Sequence, residues 1–255
     1  MRLFWSVARF QAVLASRAPD TVHVLVVAPL YTVVFLAISD HADRSDLAPY
    51  AVLAPVLMSL WSLALLTAGD LIRRERSRGT LEAMVATPAS FAVVVIARIT
   101  AVTMISLVSF AESWVVALLL FDTVIVIEHP VALVSCLLVS ALAMAGTASA
   151  MAGLHVLVPT ARTLQNTLTY PIYLLGGVLV PVSYLPEWLQ PLSRLVFLSW
   201  SADLLRAALA PQPVTDLVPR LGAIAGLGAA GCAVGVVMIG RILRRVRFTG
   251  TLARS

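Results

Sequence analysis

"LIRRERSRGTLEAMVATP", Leu71 to Pro88, decides how this chain is read. Arg73, Arg74, Arg76 and Arg78 crowd around Glu75, while the sequence on either side is almost entirely Ala, Val, Leu and Ile. The 255 residues are 60% hydrophobic and 12% charged, with a mean hydropathy of +0.95. Soluble domains carry about 25% charged residues, so the composition predicts a polytopic membrane protein. A charged island between two apolar runs, each near the ~20 residues a spanning helix needs, must lie in water at one membrane face. Its arginines assign it to the cytoplasmic face.

Working outward from the island, six spans are expected: roughly Val22–Ile38, Tyr50–Gly69, a span within Ala89–Phe121, Val131–Val158, Leu164–Val182 and Leu217–Gly240. With the N-terminus inside, fourteen arginines fall on cytoplasmic segments. The four outside are Arg44, Arg194, Arg206 and Arg220. That asymmetry predicts cytoplasmic N- and C-termini. A rival reading makes the first run a signal peptide cut after "AIS", but 21 residues is long for an n-region. Residues 1–18 read as an interfacial helix: Leu3, Val7, Phe10 and Leu14 share one face, Arg2 and Arg9 another, with Trp5 at headgroup level.

Every basic residue is Arg, and the net charge is +5. Without lysine the chain builds no P-loop and no Schiff base. The basic residues flank apolar runs, which fits membrane orientation rather than nucleic acid. Cys136 and Cys232 sit singly in apolar runs, without a ligand cluster, so no metal site is expected.

Helix contacts are expected at small residues: Ala141, Ala145, Ser149 and Gly153 on the fourth span, and Gly222, Gly226, Ala230, Gly231 and Gly235 on the sixth. Polar groups inside spans are candidates for a translocation path. Glu112 would line a polar path or pair with an arginine, or, if its span is shifted outward, sit at the outer surface beside Asp122. Pro171 frees a carbonyl near Thr167, and Asn166 and Thr169 add polar groups to the fifth span. His155 reads as a hydrogen-bonded packing residue. Residues 181–212 are too apolar for a solvated loop and too broken by Pro181, Pro186 and Pro191 to span. Short helices re-entering the outer leaflet are expected there, with Trp188 and Trp200 at the interface.

The island itself reads as an elbow. Gly79 breaks a helix, Thr80 caps a second with Leu81, Met84 and Val85 on its apolar face, and Thr87–Pro88 restarts the chain into the third span. Glu75, Arg76, Gly79, Thr80, Leu81, Glu82, Thr87 and Pro88 match the cytoplasmic loop motif of type-2 ABC exporter permeases, which this chain resembles. Ser77 and Arg78 depart from the usual acidic approach to the glycine. The segment "VPVSYLPEWLQPLSRL" is similar to the extracellular re-entrant region of that family.

The resemblance implies an all-α polytopic membrane protein, residues 1–255 forming one permease domain. It would have six transmembrane helices, the N-terminal interfacial helix, a cytoplasmic coupling helix within residues 70–88 and the re-entrant helices. It implies a dimer with a second permease copy or paralogue in a bacterial cytoplasmic membrane. An ABC ATP-binding subunit would hold ATP and Mg; this chain would carry no cofactor and no enzymatic activity. The cargo expected is hydrophobic or amphipathic: a drug, an antibiotic or a lipid-linked glycan. The competing readings are a non-transporting membrane anchor or assembly protein, and an intramembrane lipid-modifying enzyme. The latter lacks HExxH and any in-span Ser–His or Asp–Asp pair.

Overall fold

Apolar runs without charge close their backbone hydrogen bonds within themselves, and the helix is the single-segment way to do so. In a computed structural model, residues 2–15, 19–42, 48–77, 91–122, 125–157 and 161–249 are described, and they are all-helical apart from turns. The longer helices are α1 (Arg2–Ala15), α2 (Pro19–His41), α3 (Ala48–Ser77), α4 (Phe91–Ile105), α5 (Val108–Phe121), α6 (Pro130–Leu157) and α7 (Ala161–Leu175). A 3-10 turn (Val182–Tyr184) and α8 (Gln190–Ser193) lead into α9 (Phe197–Leu209) and α10 (Leu217–Thr249).

Among the described residues, four segments are long and apolar enough to cross a membrane: Ala48–Gly69, Ala92–Phe121, Pro130–Leu154 and Leu217–Arg241. The chain is thus a multi-pass membrane protein. The most hydrophobic window of the first is 78% buried and that of the last 22% buried. So α3 is the central helix and α10 lies at the periphery. α3 packs on α2, α4, α5, α6 and α9, and α10 leans mainly on α6.

Two expected spans differ in shape from a straight helix. Ala92–Phe121 breaks at Ser106–Leu107, where the Leu107 N–H turns to the Met104 carbonyl at 3.3 Å. Thr103, Ser106 and Ser109 donate to the carbonyls of Thr100, Thr103 and Ser106 at 2.6–2.9 Å. These short hydroxyls compete with the helix for its own acceptors, and three of them at spacing three tighten the turn. The run Leu164–Val182 is helical only to Leu175. There the Val178 N–H reaches the Tyr173 carbonyl (3.0 Å) and the Gly177 N–H reaches that of Leu174 (3.1 Å), with Gly177 at φ +63°. This is a glycine-dependent Schellman cap, and it ends the helix.

The fourth-span stripe packs as expected, with Ala141, Ala145, Ser149 and Gly153 all buried. On α10 Gly231 and Gly235 make the expected contact, extended by Gly228, while the other expected residues do not. Gly228, Gly231 and Gly235 lie against the backbone of α6, whereas Gly222 and Gly226 have nothing within 4 Å and Ala230 is exposed. The close-packed line is set by Gly146 opposite Gly228, which lets the backbones touch. A Cβ on Gly228 would fall inside the Ala143 backbone. Gly228→Ala is therefore expected to cost about 1–3 kcal/mol as overpacking. Gly226→Ala, in open space, is expected to hold or raise stability, by up to about 1 kcal/mol from helix propensity. Thermal melting in nanodiscs distinguishes them.

Candidate functional site

Three helices enclose a cavity of about 450 Å³. On α3, Met58, Ser62, Leu65 and Leu66 face it at helical spacing. α7 contributes Gln165, Asn166, Thr169, Tyr170 and Tyr173, again one helical stripe, and α2 closes it with Val27, Ala28 and Tyr31.

Hydroxyls hold the walls together. The Tyr173 hydroxyl donates to the Met58 carbonyl (3.1 Å) and shares a hydrogen bond with Ser62 Oγ (3.0 Å), pinning α7 to α3. Trp61 supports the Tyr173 ring edge to face, centroids 6.4 Å apart. Ser59 and Ser109 meet at 2.7 Å, tying α3 to α5, and Thr32 donates to Ser113 at 3.0 Å, tying α2 to α5. In an apolar surround such pairs fix helix register.

Among the described residues, the lining includes no Asp, Glu, Arg, Lys or His. Its chemistry is hydroxyl, carboxamide and aromatic ring. Tyr170 stands perpendicular to Tyr173, and both Tyr170 and Tyr31 are exposed. Gln165 is only 7% exposed; its main-chain carbonyl accepts from Thr169 Oγ1 at 2.8 Å.

Of the residues read as a path, Asn166 and Thr169 line the cavity. Pro171 lies on the same helix with its side chain exposed and does not line it. Glu112 does not line it either: it sits half-buried on α5, its Oε2 without a hydrogen-bond partner among the described residues. Of the loop residues, Glu75 and Arg76 fall within α3, while Gly79, Thr80, Leu81, Glu82, Thr87 and Pro88 lie outside the described residues. His155 falls within α6. Both cysteines are free thiols, and Cys136 is buried.

A second cluster sits where α7 ends, at the Tyr50 end of α3. Arg206, on α9, donates to the carbonyls of Gly177 and Val178. Its guanidinium lies 4.7 Å from the centre of the Tyr50 ring and 3.6 Å from Asp203. Burial pulls Arg206 below its usual pKa, and Tyr50 and Asp203 oppose that pull. Asp203 also pairs with Arg194 at 3.0 Å; Arg194 stacks 4.9 Å from Trp200, whose Nε1–H donates to the Arg194 carbonyl (2.9 Å). Arg206 thus binds α3, α7 and α9 together. In sequence Arg206 is one outside charge; the Asp203–Arg206 pair, three apart on a helix, is the signal that points to more.

Along 181–212, Pro181 is half-buried before the 3-10 turn, and Pro186, Trp188 and Pro191 are exposed. α9, 13 residues long, buries Phe197, Leu198, Leu204 and Leu205 against the long helices.

A bundle of long apolar helices around a cavity lined by hydroxyls, carboxamides and aromatic rings fits the body of a membrane permease, and the family comparison agrees. Residues 2–210 match the ABC-2 type transporter family. That covers most of the chain, so the protein belongs to the ABC-2 type transporter family, as its membrane permease domain, which has no ATPase activity of its own. No curated protein matches the chain.

Proposed function

We propose that this permease moves a hydrophobic or amphipathic substrate out across the cytoplasmic membrane, driven by an ABC ATP-binding subunit. The cavity between α2, α3 and α7, lined by hydroxyl, carboxamide and aromatic groups in a chain of this family, carries the reading. In it, six spans place both termini in the cytoplasm. α2 and α7 count as the first and fifth spans, α1 rests at the membrane surface, and residues 181–212 re-enter the outer leaflet. The exposed apolar residues Trp5, Phe10, Val13 and Leu14 on α1 support the surface placement. A second copy or paralogue completes the dimer.

Glu75, Arg76, Gly79, Thr80, Leu81, Glu82, Thr87 and Pro88 receive the motion of the ATPase. Asn166 and Thr169 belong to the path wall, Pro171 bends it, and Glu112 flanks it from α5. Copurification with a P-loop ATPase, followed by a screen for compounds that stimulate its hydrolysis, tests the proposal. A permease that never captures such an ATPase would be an anchor or assembly protein instead.

A further inference from the structure

We infer that the arginine-rich end of α10, together with α1, binds an anionic phospholipid through its headgroup phosphate. The α1 half rests on the surface placement proposed above; the α10 half does not.

Where the span Leu217–Arg241 ends, α10 continues to Thr249, about 12 Å further. This extension carries Arg241, Arg244, Arg245 and Arg247. Helical spacing puts Arg241, Arg244, Arg245 and Phe248 on one face and Ile242, Leu243 and Val246 on the other. Arg241 is exposed, and α10 is the peripheral helix of the bundle. A basic, amphipathic helix end at the edge of a span suits the headgroup layer, with apolar residues toward the acyl chains and guanidinium groups at phosphate level.

The extension lies on the membrane side where α4 begins. Gly146 meets Gly228 and Gly153 meets Met238, so α6 and α10 run parallel. α4 and α5 cross the membrane together and α6 crosses back. That returns the Leu157 end of α6, and the Thr249 end of α10 with it, to the Phe91 side. α4 packs against both α1 and α10. On α1, Arg9 is exposed one turn from Trp5 and one turn from Val13, which are exposed too, as are Phe10 and Leu14. An occupant held by α1 and α10 would therefore brace α4, the helix that follows Leu71–Pro88.

Orientation accounts for arginines on this side but leaves their charge to be met. α1, α4 and α10 contain no Asp or Glu, and the chain has none before Asp20 and none after Asp216. The Ser77 end of α3 differs: Asp70 and Glu75 accompany Arg73, Arg74 and Arg76. Counter-charge for the α10 arginines is thus best supplied from outside the chain, and a phosphate in the headgroup layer matches the guanidinium fork. Each basic residue near an anionic membrane surface contributes about fivefold in association.

The test places the full chain in phosphatidylcholine vesicles with a trace of spin-labelled phosphatidylglycerol or spin-labelled phosphatidylcholine. Association of each label with the protein is compared. Phosphatidylglycerol should be held about five- to thirtyfold more tightly, the effect of one to two arginines. High salt should reduce that preference on the unaltered chain. Arg241→Gln, Arg244→Gln, Arg245→Gln and Arg247→Gln combined should bring it to within about twofold of none, while lysine at the same four positions keeps most of it. Arg9→Gln alone should lower it by about two- to fivefold. Equal association of the two lipids with the unaltered chain overturns the inference, and so does a preference that either high salt or the fourfold glutamine variant leaves intact. An Arg9→Gln variant with the parental preference overturns the α1 half and the surface placement behind it, and not the α10 half. A fourfold glutamine variant that keeps its lipid preference but no longer copurifies with the ATP-binding subunit would assign these arginines to that subunit instead.

Discussion

Glu82→Ala, and separately Glu75→Ala, are expected to leave ATP hydrolysis by the assembled complex within about twofold of parental while export falls at least tenfold. A coupling free energy of about 1–3 kcal/mol corresponds to factors of about 5–150, so losing one contact at the transmission point is enough for that drop. The island holds four arginines between Arg73 and Arg78, which serve membrane orientation and would do so without any carboxylate. Orientation does not require Glu75 and Glu82, the two carboxylates of Leu71–Pro88, and they flank the Gly79–Thr80 break in sequence. In the proposed coupling role, a carboxylate on each side of that break would give a docking subunit two charged points to push against. Hydrolysis and export measured on the same preparation separate uncoupling from failed assembly. Export at the parental rate in both variants would remove the coupling role.

Arg206→Ala is expected to destabilise the protein by about 3 kcal/mol, the low end for removing one partner of a buried charge pair. The guanidinium side chain is 14% exposed and Asp203 30%, so Asp203 keeps some water and its contact with Arg194. What is lost is mainly the cap on α7: the Gly177 and Val178 carbonyls face inward after the Schellman turn and have Arg206 as donor. Tyr50 loses its stacked cation at the same time. Arg206→Lys should recover only part, because an ammonium cannot fork between two carbonyls and stack on a ring at once. Melting temperature in nanodiscs reads both variants. An alanine variant that melts with the parent would mean that the cluster holds nothing together.

Much of this was legible because lipid leaves few choices. Apolar runs near twenty residues long announce α3, α6 and α10 directly, and the Ala141–Gly153 stripe identifies the packed face of α6 from spacing alone. Other features turn on neighbours that a one-dimensional pattern does not contain. The sixth span offers two small-residue faces, Gly222–Gly226–Ala230 and Gly228–Gly231–Gly235. Only the position of α6 decides that the second is the contact. The end of α7 was written as Gly176–Gly177, a legible stop signal overridden by the hydrophobicity of the run to Val182. In the candidate site, Asn166 and Thr169 stood out as polar residues inside a span. Gln165, one residue earlier, did not, because its burial depends on α2 and α3. Arg206 is hidden for the opposite reason: in sequence it is one more charge outside the membrane, and its packing against Tyr50 links positions more than 150 residues apart.

The central claim is that this chain is the permease of a complex powered by an ATPase it does not contain. The most direct measurement is cargo flux into inside-out proteoliposomes made with the purified chain, with or without its copurified ATP-binding subunit. The expected result is flux that requires the chain, the ATPase and hydrolysable ATP together. Flux undiminished by leaving out the ATPase or ATP would contradict it.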